Sequence, residues 1–302
     1  MLFGTEELQK KLMEEVMACE KEKHMKVVYG ALVGSISKGL QLIDSDYDTR
    51  FLYINENFPN PILYPDKLPE KEVIYRKYLG NTCFEKIPFW EMTSFLQYMI
   101  YPSINGKFST GLYNVVGWTY LSPYVWDPYG LQNKLLPLIQ KFFFKDYYID
   151  YHKTILDNIL EEQNGVVIAK EYLNILYSAL AIDYADKYNH FPPVYMRTLS
   201  QCISDEISQV VDKWICEIQK MARGYIYDNK ITGLCHKASV EIKLKREKII
   251  DEYIDKIRKK FRDFNMNCLK KSETDILEEK MKGVYEIVKR SVYKEESIIE
   301  RW

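Results

Sequence analysis

Nothing in this 302-residue chain approaches the ~20 consecutive apolar residues that a membrane-spanning helix requires. Runs such as Ala31-Leu32-Val33 and Phe142-Phe143-Phe144 are far shorter, so no membrane partner is expected. The opening Met1-Leu2-Phe3-Gly4-Thr5-Glu6-Glu7 lacks the basic-then-apolar layout of a signal peptide. Charge imbalance is missing too: 42 Lys+Arg stand against 43 Asp+Glu, a formal net charge of -1. With 47% hydrophobic residues, that balance excludes intrinsic disorder. It also excludes a globally basic nucleic-acid binder, leaving at most a local polyanion patch. The six cysteines (Cys19, Cys83, Cys202, Cys216, Cys235 and Cys268) have no close pairs. A disulfide framework or thiolate zinc site is therefore not expected, and a soluble protein of a reducing cytoplasm is.

What is present divides into two textures. From about residue 25 to 125 the chain carries short β-forming runs and most of its turn residues. The run from Lys26 to Val33 ends in Gly34, as a buried strand does. Asp48 to Ile54, Glu72 to Arg76 and Thr82 to Lys86 read as three more strands, with Gly80-Asn81 a tight turn between the last two. Ahead of them, Leu8, Leu12, Val16 and Cys19 share one face of a helix from Thr5 to Lys23, with Thr5 as its cap. Beyond about residue 130 the pattern is helical to the end. Tyr172, Ile175, Leu176, Ala179 and Leu180 mark a buried helix face, and Pro192-Pro193 punctuates it. Leu244 to Phe261 is amphipathic, and Ser272-Glu273-Thr274-Asp275 resembles a capping box opening a last helix. The expectation is an α+β chain: an α/β domain over 1–125 followed by an all-α domain over 126–302.

One constellation carries chemistry. Gly34-Ser35 follows the first strand directly, and Asp46, Asp48 and Arg50 follow ten residues after Ser35. Glycine lets a backbone approach a phosphate, and serine adds a hydroxyl donor. Residues two apart project from one face of a strand. Two carboxylates held that close repel each other unless a hard cation such as Mg²⁺ neutralises them. Phosphate cradle, metal pair and adjacent arginine are the parts of metal-assisted phosphoryl or nucleotidyl transfer.

The pattern Gly-Ser, ten residues, Asp-x-Asp resembles the signature of the DNA polymerase β-like nucleotidyltransferase superfamily. More narrowly, Gly34-Ser35, Gly39-Leu40, Ser45-Asp46-Tyr47-Asp48 and Arg50-Phe51-Leu52-Tyr53 resemble the predicted nucleotidyltransferases called the YcgL or RlaP family. Phe89-Trp90-Glu91 is similar to that family's Trp-Asp-Leu segment, and Lys170 through Pro193 to its C-terminal helix with a Pro-Pro close. The resemblance covers roughly residues 25 to 200. It implies a small mixed sheet with packed helices and a helical C-terminal region. It further implies transfer of a nucleoside monophosphate from an NTP to a hydroxyl acceptor using two divalent ions, Mg²⁺ (or Mn²⁺). Asp46 and Asp48 would hold the ions, and Gly34 and Ser35 the triphosphate. A third carboxylate on a nearby strand would assist, with Glu85 the first candidate and Glu91 the second.

Departures from the family point elsewhere. Ile36 stands where the family has Arg after Gly-Ser, and Tyr177 and Asp183 stand where it commonly has Arg on the C-terminal helix. Lys38, Arg50 and Lys170 are the cations left to meet phosphates. Two readings therefore remain open: a transferase acting on RNA or a protein, and a degenerate nucleotide-binding or protein-interaction module such as a toxin–antitoxin or defence component. Trp90 reads as core and Cys235-His236 as structural, while His24, His152 and His190 stand alone, in no Ser/His/Asp or Cys/His order.

Overall fold

The computed structural model describes residues 6–40, 47–55, 71–79, 82–101, 103–104, 107–228 and 242–299. Thr5, Asp44, Ser45, Asp46, Gly80-Asn81 and Cys235-His236 lie outside the described residues. The fold is α+β. In order come α1 (Glu6–Lys23), β1 (Met25–Leu32), α2 (Gly34–Ser37), β2 (Thr49–Asn55), β3 (Lys71–Leu79), β4 (Thr82–Glu91) and α3 (Met92–Leu96). The strands β5 (Ser103–Ile104) and β6 (Lys107–Phe108), α4 (Thr110–Tyr120), β7 (Val125–Trp126) and α5 (Leu131–Lys141) follow. Then come α6 (Lys145–Leu156), β8 (Glu162–Gln163), β9 (Val166–Ile168), α7 (Ala169–Tyr188), α8 (Met196–Ile203) and α9 (Asp205–Asp228). The last elements are β10 (Lys243–Lys245), α10 (Lys248–Lys260) and α11 (Lys271–Ile299).

These elements form two compact units that do not divide at residue 125. The first comprises Met1–Val33, Asp46–Phe143 and Cys268–Trp302, the second Gly34–Ser45 and Phe144–Asn267. The physical reason is long-range packing that a linear boundary misses. The segment after β1 packs with the second unit's helices, and α11 packs on α3 and α5 of the first.

The first unit is built on a five-stranded sheet of order β3-β4-β2-β1-β7. Only β2 and β4 run parallel; the other neighbours are antiparallel. The β2–β4 pairs Phe51↔Phe89, Leu52↔Trp90 and Tyr53↔Glu91 set the faces. Phe51 and Phe89 stack with centroids 5.4 Å apart, both fully buried. Gly30 makes room for them, since a Cβ there would lie 2.6 Å from Phe51 Cε1. On the opposite face Tyr29 stacks on Tyr120 of α4 at 5.4 Å, and Trp90 packs against Phe95 and Tyr98, a core residue as expected. Asp127 accepts from the backbone N–H groups of Leu131 and Gln132 at 2.6 and 2.8 Å, satisfying the orphan donors that open α5. Helix α11 begins one residue before the expected box, where the Glu273 carboxylate accepts from the Lys270 N–H at 2.7 Å. Met281, Val284, Val288 and Val292 give it a buried stripe at helical spacing.

The second unit centres on α7, whose Tyr172, Ile175, Leu176, Ala179 and Leu180 are all buried against its neighbours. Ile250, Ile254 and Ile257 form the inner face of α10. The sequence pattern missed a small antiparallel sheet of order β10-β9-β8 in this region. Its strands are two or three residues long, too short to show a period of two.

Candidate functional site

In the second unit, the Gly-Ser segment folds into one closed helical turn. Gly34 opens it at φ 69° and Gly39 ends it at φ 71°, values that favour glycine. Leu40 N–H bonds Ser35 O at 2.8 Å and Gly39 N–H bonds Ile36 O at 3.0 Å. That pair of bonds is a Schellman closure, with Gly39 as the left-handed residue and Leu40 the buried apolar partner beyond it. The Ser37 hydroxyl donates to Gly34 O at 2.9 Å. The turn is then fixed to its unit at adjacent residues. Lys38 O accepts from the Met196 N–H at 2.9 Å, and Gly39 lies flat against the Tyr195 ring, where a Cβ would come within 2.3 Å of Cε2.

The Lys38 ammonium stands 4.4 Å above the centroid of Tyr177 on α7. Desolvation there pulls its pKa down to about 8. Desolvation, and secondarily the Lys38 charge, hold His152 well below the usual imidazole range. His152 Nδ1 lies 3.1 Å from Ser178 Oγ, and its ring contacts Tyr148 and Tyr177, so this histidine is packed into the unit's core. The buried Tyr177 hydroxyl has no hydrogen-bond partner, and burial pushes its pKa up. Of the two helix positions where the resemblance implies arginine, Tyr177 thus receives the loop's cation. Asp183 instead accepts from the Tyr253 hydroxyl at 3.1 Å and pairs with Lys260 at 3.6 Å, both on the α10 side. Lys170 is exposed in the first turn of α7, seven residues before Tyr177 and about 10 Å from it along the axis.

In the first unit, the other half of the motif enters β2. Val33 N–H bonds Asp48 O at 2.9 Å, so Asp48 stands where the first two strands meet, and it is exposed. Two residues on, Arg50 pairs with Ala31 of β1 and is half-buried. Its Nε is buried without a hydrogen-bond partner. Desolvation lowers the guanidinium pKa, and the Asp48 charge opposes that shift. Thr49 between them is 2% exposed, and its Oγ1 also has no partner.

The ladder also locates the two candidates for a third carboxylate. Glu91 pairs with Tyr53, five residues along β2 from Asp48 and so about 16 Å away along the strand. Glu85 shares its parity with Phe89, which pairs with Phe51; Asp48 and Arg50 share theirs with Leu52, which pairs with Trp90. The β3–β4 register stays constant from Lys71↔Trp90 to Leu79↔Thr82, so no bulge in β4 changes that alternation. By register neither Glu85 nor Glu91 falls in the row of Asp48. The residue of β4 next to Glu85 that has the parity of Asp48 is Lys86, which is exposed. A pattern of alternate residues within β4 could have separated Glu85 from Lys86, but only the pairing with β2 says which of them joins Asp48. Among the described residues, no group of three or more His, Cys, Asp or Glu could hold a metal ion. Among them, too, no helix is long and apolar enough to cross a membrane.

Residues 8–84, about a quarter of the chain, match the family described as RlaP, RNA repair pathway DNA polymerase beta family, a match that points to a nucleotidyltransferase-related function. No curated protein and no solved structure matches the chain.

Proposed function

We propose that this chain binds a nucleoside triphosphate and transfers its nucleoside monophosphate to a hydroxyl acceptor, with RNA the acceptor to test first. The observation that supports it is the shared strand face of Asp48 and Arg50 at the entry to β2, inside the matched segment. Gly34 and Ser35 hold the triphosphate, and Arg50, with its unpartnered Nε, meets a phosphate oxygen. Lys38 and Lys170 add positive charge. Paired carboxylates at residues 46 and 48 would suit hard divalent ions, Mg²⁺ or Mn²⁺, which would neutralise triphosphate charge. In the transfer the acceptor oxygen bonds the α-phosphorus as the bond to the β-phosphate oxygen breaks. Pyrophosphate leaves, and the hydroxyl proton passes to solvent.

A second reading, nucleotide binding without transfer, is favoured by one observation: neither Glu85 nor Glu91 shares the row of Asp48. Thermal unfolding with each NTP, with and without Mg²⁺, tests the site first. A ligand at 100 times its dissociation constant adds about 2.7 kcal/mol. The shift is expected in wild type and absent from Asp46→Ala/Asp48→Ala; an unchanged melt in every nucleotide overturns both readings. Incubation with α-labelled NTP and RNA then separates them, labelled RNA supporting transfer and bound but intact NTP supporting the second.

A further inference from the structure

Helix α7 sets an aromatic ring where the cation of the Gly34–Leu40 turn rests. Tyr177 is 1% exposed, and the Lys38 ammonium stands 4.4 Å from its ring centroid. The face of a tyrosine ring is the negative end of its quadrupole, so it attracts a cation, the more strongly where water is excluded. The hydroxyl of the same residue has no hydrogen-bond partner. A buried tyrosine usually finds one, and phenylalanine would fill the position without leaving a polar atom over. What Tyr177 gives this region is therefore its ring. Lys38 belongs to the turn itself: its N–H donates to Gly34 O at 3.4 Å, and its O accepts from the Met196 N–H at 2.9 Å. Backbone and head group are thus both held, in a side chain that otherwise keeps much rotamer freedom.

A lysine held this way offers its charge to an anion without first having to be ordered, and such ordering otherwise costs affinity. We propose that Tyr177 is a positioning residue for the nucleotide: its ring fixes the Lys38 ammonium in the turn that Gly34-Ser35 opens, and the fixed charge draws the phosphates to that segment. This rests on the nucleotide-binding reading above and adds a residue to it. Burial pulls the Lys38 pKa down to about 8, which still leaves the amine mostly protonated at about pH 7. Desolvation and the Lys38 charge keep His152 neutral there, so the turn's charge is carried by Lys38 and not by the imidazole packed against Tyr177.

Calorimetric titration of the full chain tests the idea, with Mg²⁺ and the non-hydrolysable α,β-imido analogue of whichever NTP raises the melt most. Tyr177→Leu should bind about tenfold more weakly, and the conservative Tyr177→Phe should restore binding. In a Lys38→Met background Tyr177→Leu should cost less than about twofold, because the charge it positions is gone. A tyrosine that merely supports the fold gives no such coupling, since its loss would add to that of Lys38. Phenylalanine carrying successively more ring fluorines at position 177 keeps the shape and drains the negative face, so it reads the ring's charge even where Tyr177→Leu fails to fold. Affinity should fall at each step of that series. Equal affinity across the series, or full additivity with Lys38→Met, overturns the proposal while the nucleotide site stands. A wild-type chain that binds no analogue overturns both together.

Discussion

Between Gly34 and Leu40 the backbone's demands are met within seven residues, whereas at the entry to β2 a buried hydroxyl and a buried guanidinium nitrogen go unmet. The first region is over-determined. A Schellman closure, a ring against Gly39, a backbone bond to Met196 and a cation above Tyr177 all fix the same turn. The second is under-satisfied, with Thr49 Oγ1 and Arg50 Nε both lacking partners. Buried polar atoms without partners cost roughly 1–3 kcal/mol each and persist where something else selects them. The contrast separates a region whose polar groups all serve its shape from one that leaves polar groups over, as the proposed phosphate contact of Arg50 requires.

The largest way to break the comparison is to spoil the closed turn. Gly39→Val sets a β-branched residue at φ 71° with its Cβ inside the Tyr195 ring. A loss of at least ~2 kcal/mol in urea unfolding is expected, since the left-handed backbone alone costs an ordinary residue about 1–2 kcal/mol. Adding Tyr195→Ala should recover the steric part and leave the backbone part. A loss below 0.5 kcal/mol would mean that the turn is not held as described.

A smaller effect comes from the buried cation. Burial takes the Lys38 pKa from 10.5 to about 8, so between those values the unfolded chain binds a proton that the folded chain has released. Stability contributed through Lys38 therefore rises with pH from 8 to 10.5 and is level below 8. In Lys38→Met that rise should vanish, which the difference between the two proteins' unfolding midpoints across this range measures directly. Parallel pH profiles would place the ammonium in water.

The smallest change sharpens the other side. Thr49→Val keeps the shape of a 2% exposed side chain and removes an unpartnered hydroxyl. A gain of about 1 kcal/mol is expected by chemical denaturation, against a loss at a satisfied threonine. Destabilisation by a similar amount would show that Oγ1 is not orphaned.

Much of this was legible in the chain. Buried runs marked β1 and β2, the three-to-four spacing from Tyr172 to Leu180 marked α7, and Gly34, Gly39 and the alternate charges at 46, 48 and 50 singled out the motif. Two things were not. Which residue of Thr82–Glu91 accompanies Asp48 depends on parallel pairing with β2, a contact across nearly forty residues that leaves no trace in local pattern. Likewise the partner of Lys38 is Tyr177, and nothing near residue 38 announces it.

The first unit draws on three stretches of chain, and its closing helix α11 packs on α3 and α5. A ribosome delivers those stretches far apart in time. At about 5–20 residues per second, the roughly 130 residues between α5 and α11 take roughly 6–26 s to appear. For that interval the surfaces of α3 and α5 that α11 covers have been made and their cover has not. The sheet's unit is thus begun first and finished last, and a nascent chain stalled before residue 268 is the state in which this protein is most exposed to aggregation and to chaperones.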